Sequence, residues 1–225
     1  MNQQLLHNYQ SVTHQLSLAN TKTGFLKPAQ LLAVSKTKPA TDIRALFELG
    51  QRDFGENYLQ EALPKQSELA DLPIVWHYIG SIQRNKTRDI AQHFDWVHTI
   101  ERDIIAKRLN EQRGDLPPLN VLIQVNIDDE ASKSGVQPDE LMDLVNQIKD
   151  LPKLCLRGMM IIPAKEGGDA FARAKALFDE VAASSSLPHW DVLSMGMSGD
   201  MAEAVAHGST IVRVGTALFG ARDYS

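Results

Sequence analysis

Residues 192–220 read VLSMGMSGDMAEAVAHGSTIVRVGTALFG and hold two successive strand-then-helix units. Residues 192–194 and 211–214 are short apolar runs of strand length, each followed within a few residues by a glycine turn and a helical stretch. Working outward from these two units, the same alternation extends back through the chain. The spacing predicts further strands at 31–35, 53–56, 74–79, 96–99, 121–126 and 154–160. Helical patterns lie between them. One starts at Thr41 with Ile43, Leu46 and Phe47 on one face and Gly50 as a stop; another starts at Pro138 with Leu141, Leu144, Val145 and Ile148 inward. A third runs over 171–181, with Ala174, Leu177 and Phe178 on its inner face. Ahead of all of them, Leu5, Tyr9, Val12 and Leu16 recur at helical spacing, and residues 20–24 read as a stop. Eight strands, each followed by a helix or helical turn, is the count of a (β/α)8 barrel, here with an extra N-terminal helix. An open doubly wound sheet allows the same alternation, but no Gly-x-Gly-x-x-Gly fingerprint follows the first strand.

Composition narrows the function classes. The 225 residues are 43% hydrophobic, which suits one well-filled core, and a single domain over 1–225 is expected. Twenty-eight acidic against 23 basic side chains give a net charge of −5, with no basic block to argue for nucleic acid. Residues 1–15 are polar and lack an apolar signal core, and no later run is long enough to cross a bilayer, so a cytoplasmic protein is expected. Cys155 is the only cysteine, which excludes an internal disulfide and a thiolate zinc site; no metal is expected. Gly167, Gly168 and residues 184–186 are ordinary loop signals.

In parallel α/β folds the working groups collect at the carboxyl ends of the strands. Those ends carry Ser35-Lys36-Thr37-Lys38, Gly55-Glu56-Asn57-Tyr58, His77-Tyr78-Ile79-Gly80, Asn126, Arg157-Gly158-Met159-Met160, 194–200 and Arg213-Val214-Gly215-Thr216. Lys36 follows the apolar run Leu31-Leu32-Ala33-Val34 after the single residue Ser35. Desolvation there disfavours the ammonium and frees a neutral amine for condensation with a carbonyl. A lysine that merely snorkels into water gives the same pattern, and so does the lysine of a class I aldolase. Ser198-Gly199-Asp200 opens a helix in which Asp200 and Glu203 have capping-box spacing, and Gly215-Thr216 opens a second short helix. The loops after the last two strands of a barrel are the recurrent place for a phosphate; ordinary helix caps are the alternative. Arg213 lies among Ile211, Val212 and Val214. It serves as a structural ion pair, an outward charge, or a donor to a pyridine nitrogen. An amine, a phosphate cradle and a pyridine partner describe one ligand.

Taken together, these motifs resemble the pyridoxal phosphate homeostasis protein family, whose fold is similar to the N-terminal barrel of alanine racemase. The resemblance rests on Ala33-Val34-Ser35-Lys36, Phe54-Gly55-Glu56-Asn57-Tyr58, His77-Tyr78-Ile79-Gly80 with Gln83 to Lys86, and Gln124-Val125-Asn126. It continues through Gly158-Met159-Met160, 194–200 and 213–220, so it covers nearly the whole chain. Tyr78, Ile82 and Met159 depart mildly from the family pattern. The resemblance implies pyridoxal 5'-phosphate held as a Schiff base on Lys36, with Asn57 beside the ring. It further implies that Ser198, Gly199, Gly215 and Thr216 hold the phosphate and that Arg213 meets the pyridine nitrogen. His77 is expected as a satisfied core histidine, and Met195 and Met197 as wall packing. Lys38 and Lys133 stand near the mouth; Lys38, one residue beyond Thr37, is a candidate for passing the cofactor on.

Two functions are compatible with that site. One is a non-catalytic carrier, a monomer that keeps vitamin B6 and amino-acid pools in balance and supplies apo-enzymes that need pyridoxal phosphate. The other is an amino-acid racemase. The racemase resemblance stops at the barrel and identifies no second base for the opposite ring face, so no catalytic residue is assigned. An arginine at the pyridine nitrogen also leaves the ring a weak electron sink, which argues against aminotransferase-type chemistry, though racemases tolerate it. The carrier is expected.

Overall fold

The protein is described by a computed structural model that covers residues 3–130, 133–164 and 168–221; Gly167 lies outside the described residues. Eight parallel strands close into a barrel in chain order. They are β1 (Gln30–Val34), β2 (Asp53–Glu56), β3 (Val75–Tyr78), β4 (Trp96–Ile100), β5 (Leu119–Val125), β6 (Leu154–Ile161), β7 (Val192–Ser194) and β8 (Ile211–Val214). Closure comes from β1 pairing with β8, where Leu32 stands opposite Arg213. The outer layer contains α1 (Gln3–Thr21), α2 (Ala40–Glu48), α3 (Leu59–Glu68), α4 (Thr87–His93) and α5 (Asp103–Gln112). It continues with α6 (Leu141–Ile148), α7 (Ala170–Ser184), α8 (Met201–Ala206) and α9 (Thr216–Phe219). This is the expected (β/α)8 barrel with its extra N-terminal helix.

Strand alternation divides the core in two. Outward-facing Ala33, Phe54, Trp76, Val97, Val121, Leu193 and Val212 pack under the helices in one large cluster. The inward positions of the same strands give a second cluster of Leu32, Leu122, Met160, Val192 and Ile211, with Trp96 against it. Ser194 and Arg213 share the inward parity of Val192 and Ile211, and both are buried. A charged side chain is thereby carried into the barrel interior. Arg213 is neither the outward charge nor the ion pair that the sequence left open: its guanidinium binds the Ser194 hydroxyl at 2.8 Å and the Ile161 carbonyl at 2.9 Å.

The N-terminal helix α1 buries Leu5, Val12 and Leu16 of its predicted stripe, with Tyr9 partly buried against the core and Ala19 added to it. It lies against α8 and α9, next to the loops after β7 and β8. The side-chain amide of Asn20 ties its end to β1, accepting from Ala29 N–H at 2.9 Å and donating to Ala29 O at 3.0 Å.

Two local expectations fail after β7. The Asp200–Glu203 capping box does not form: the Asp200 carboxylate turns back and accepts from Met197 N–H at 2.5 Å instead. Met197 is exposed while Met195 is buried. Strand alternation ends at Ser194, and Gly196, at φ +91°, redirects the chain before Met197 can reach the wall.

Candidate functional site

Lys36 emerges from β1 on the inward parity of Leu32 and Val34 and is half-buried. The turn that carries it is unusual. Thr37 sits at φ +62°, a conformation costly for a β-branched residue, of order 1–3 kcal/mol. Two contacts hold it there: Lys38 N–H donates to Ser35 O at 3.0 Å, and Thr37 N–H donates to the Glu61 carboxylate at 2.8 Å.

Beneath this turn lies a cluster that sequence reasoning missed. Lys65, from α3, reaches through the helix layer and donates to Glu56 Oε1 and to Ser35 O, both at 2.9 Å. The Ser35 hydroxyl donates to the same Glu56 oxygen at 2.6 Å. Glu56 is wholly buried, and burial pushes its carboxyl above the usual range, with Lys65 pulling it back. Ser35 and Glu56 immediately precede Lys36 and Asn57, so one buried ion pair fixes the backbone of two expected site residues. Lys65 carries no local sequence signal, because its partner is distant in the chain and Pro64 beside it reads as a helix break.

The expected site residues fall into neighbouring recesses. Lys36, Lys38, Gly215 and Thr216 line one recess of about 30 Å³ between the ends of β1 and β8. Asn57 lines a second, of about 210 Å³, with Gly80, Thr99, Gln124, Lys133 and Ile162. Ser198 and Gly199 open instead on a groove of about 670 Å³ against α1 and Phe25. The proximity of Lys36, Gly215 and Thr216 is thus explicit, whereas Ser198 and Gly199 approach from the α1 side of the same two loops. Lys38 binds Ala221 O at 2.7 Å, and Lys133 pairs with Glu130 at 3.1 Å.

Several buried polar groups lack partners among the described residues. Asn57 Oδ1 is one, buried without a donor. Ser198 and Gly199 are exposed, their N–H groups make no backbone bond among the described residues, and a Cβ at Gly199 would meet nothing within 4 Å. Burial lowers the Arg213 guanidinium to about 10, so it remains a cation and pure donor at neutral pH. His77 is a satisfied core residue, bonded at both ring nitrogens, to Asp53 at 3.0 Å and His98 at 2.9 Å. Among the described residues no cluster of three His, Cys, Asp or Glu is arranged to hold a metal ion. No helix among them is long and apolar enough to cross a membrane.

Lys36, Gly215 and Thr216 therefore share one recess at the ends of β1 and β8. Residues 7–223 match the family model described as the alanine racemase N-terminal domain. A Pseudomonas aeruginosa pyridoxal phosphate homeostasis protein is 57% identical over 86% of this chain and 85% of its own. The protein of that name from Escherichia coli K12 is 50% identical over 98% of each chain. Among solved structures, PipY of Synechococcus elongatus with pyridoxal phosphate bound is 36% identical. It superposes at a TM-score of 0.84 over 96% of this chain and all of its own. Alanine racemase from Corynebacterium glutamicum shares the fold at 18% identity and a TM-score of 0.70, with this chain spanning 62% of that one. The chain belongs to the pyridoxal phosphate homeostasis protein family, built on the alanine racemase N-terminal-domain fold.

Proposed function

We propose that this protein carries pyridoxal 5'-phosphate covalently on Lys36 and acts as a non-catalytic reservoir of it. The observation that carries the reading is the shared recess of Lys36, Gly215 and Thr216 at the ends of the first and last strands. It is supported by the homeostasis proteins' names and by the relative of known structure that holds pyridoxal phosphate. The cofactor supplies an aldehyde that condenses with an amine and a phosphate that anchors it.

Each residue has a separable part. The Lys65–Glu56–Ser35 cluster fixes the backbone from which Lys36 projects. Gly215, Thr216, Ser198 and Gly199 donate to the phosphate, and Asn57 stands beside the ring. Arg213 donates to the pyridine nitrogen and, as a cation with no acceptor atom, keeps that nitrogen unprotonated. The carrier acts in the cytoplasm as a single-domain monomer, buffers vitamin B6 and amino-acid pools, and hands its cargo to apo-enzymes. Lys38, two residues from Lys36, is the amine that receives the cofactor on its way out.

Borohydride reduction of the loaded protein, followed by peptide mass mapping, tests the attachment. The pyridoxyl group is expected on the Lys36 peptide, and Lys36→Ala is expected to lose the visible absorption band. A label found chiefly on another lysine would overturn the assignment.

A further inference from the structure

A continuous line of buried hydrogen bonds crosses the barrel interior. Arg213 Nη1 donates to Ser194 Oγ at 2.8 Å. Ser194 Oγ lies 3.1 Å from His98 Nδ1, and His98 Nε2 lies 2.9 Å from His77 Nδ1. His77 Nε2 lies 3.0 Å from Asp53 Oδ1. The line starts in β8, passes through β7, β4 and β3, and ends on the first residue of β2. Ser194, His77, His98 and Arg213 are all buried, and only Asp53 has appreciable contact with solvent.

The chemistry of the two ends gives the line a direction. A guanidinium can only donate, and an ionised carboxylate can only accept. Asp53 therefore takes the proton-bearing Nε2 of His77, leaving Nδ1 of a neutral His77 bare. That nitrogen accepts from His98 Nε2–H, so the Nδ1 of a neutral His98 is bare in turn. It accepts the Ser194 hydroxyl proton, and the Ser194 lone pairs are left facing Arg213. Every hydrogen points from cation to anion, and no other arrangement of neutral rings satisfies both ends. Deep burial, with His77 and Arg213 nearby, holds the His98 imidazole well below its ordinary range, in keeping with a neutral ring. His77 is also stacked on Trp96 at 5.4 Å between ring centroids, which limits its rotation.

We propose that Ser194, His98, His77 and Asp53 are positioning residues for Arg213. They connect a buried guanidinium, which among the described residues is in salt-bridge contact with no carboxylate, to a counter-charge on the far side of the barrel. They also aim its remaining donors at the aromatic nitrogen of the cofactor. The purpose assigned to this line rests on the proposed role of Arg213, whereas its direction does not.

Two measurements separate these points. In cofactor-free protein with ring-15N histidine, His77 and His98 are expected at pH 7 as neutral rings protonated at Nε2, assigned with His98→Phe. A charged His77 facing an Nδ1-protonated His98 would reverse the line and overturn the proposal. In binding titrations, Ser194→Ala is expected to weaken pyridoxal phosphate about tenfold, as befits one hydrogen bond to a charged group. The same change in an Arg213→Gln background is expected to cost almost nothing further. Independent losses in the two backgrounds would overturn the positioning role even with the tautomers as expected. If wild-type protein with those tautomers fails to bind the cofactor, the function proposed for the site falls and the role of Arg213 falls with it.

Discussion

Lys65 illustrates what a single residue contributes to this site without touching a ligand. Its ammonium is buried against a wholly buried carboxylate, and each partner alone would be an uncompensated charge in the core. Lys65→Met is therefore expected to destabilise the fold by about 3–5 kcal/mol, most of which Lys65→Met with Glu56→Leu should restore. The pH dependence has a definite sign. Glu56 has a raised carboxyl in the folded state, so its ionisation subtracts from stability as pH rises through that value. Without Lys65 the carboxyl rises further, and the loss of melting temperature relative to wild type should widen as pH rises above the ordinary carboxylate range. A deficit that shrinks over this range would show that Glu56 is not the group left exposed. The place of Lys36 at the end of β1 was legible from the sequence because a lysine one residue beyond four apolar strand residues is a local pattern. Lys65 was not, because nothing local marks a helix lysine that crosses a layer to meet a strand.

At the scale of elements, the two loops after β7 and β8 have the most to do. The strands themselves were legible from their alternation: β2, β7 and β8 begin and end where the pattern predicts, and β5 extends two residues earlier. The helix α3 keeps its run despite Pro64 inside it. The loop after β7 departs from its sequence pattern because a turn at positive φ overrides both strand parity and capping-box spacing. Asp200 closes that turn instead, and the N–H groups of Ser198 and Gly199 at its apex make no backbone bond among the described residues. If these groups and Thr216 grip a phosphate, charge-assisted bonds should dominate affinity, being roughly twice as strong as neutral ones. Pyridoxal phosphate is thus expected to bind much more tightly than pyridoxal. Ser198→Ala with Thr216→Val should narrow the gap while leaving the melting temperature nearly unchanged. Equal wild-type affinities in a fluorescence titration would place the phosphate elsewhere.

For the whole molecule, the closed barrel was legible because each strand–helix unit carries its own signal, and eight units in order leave few topologies. The polar interior was less so: parity could put Ser194 and Arg213 inside, but only closure brings β3, β4, β7 and β8 close enough to link them. The proposed carrier role carries an expectation about turnover of amino acids. Racemisation needs a proton taken from Cα on one face, an electron sink to hold the charge, and a proton returned on the other face. Lys36 can serve one face. Among the described residues near the mouth, Lys133 pairs with Glu130 and the Tyr78 hydroxyl donates to Ser81 O at 3.1 Å. Burial also raises the Tyr78 phenol, which makes it a poor base. Arg213 stays a donor-only cation, so an aromatic nitrogen facing it stays unprotonated and withdraws charge weakly. Added L-alanine is therefore expected to perturb the visible spectrum of the loaded protein yet give no D-alanine above a Lys36→Ala control. The check is chiral chromatography after long incubation at high protein concentration, with an alanine racemase as the positive control. D-alanine that accumulates in proportion to wild-type protein and disappears in the Lys36 variant would make this barrel an enzyme rather than a carrier.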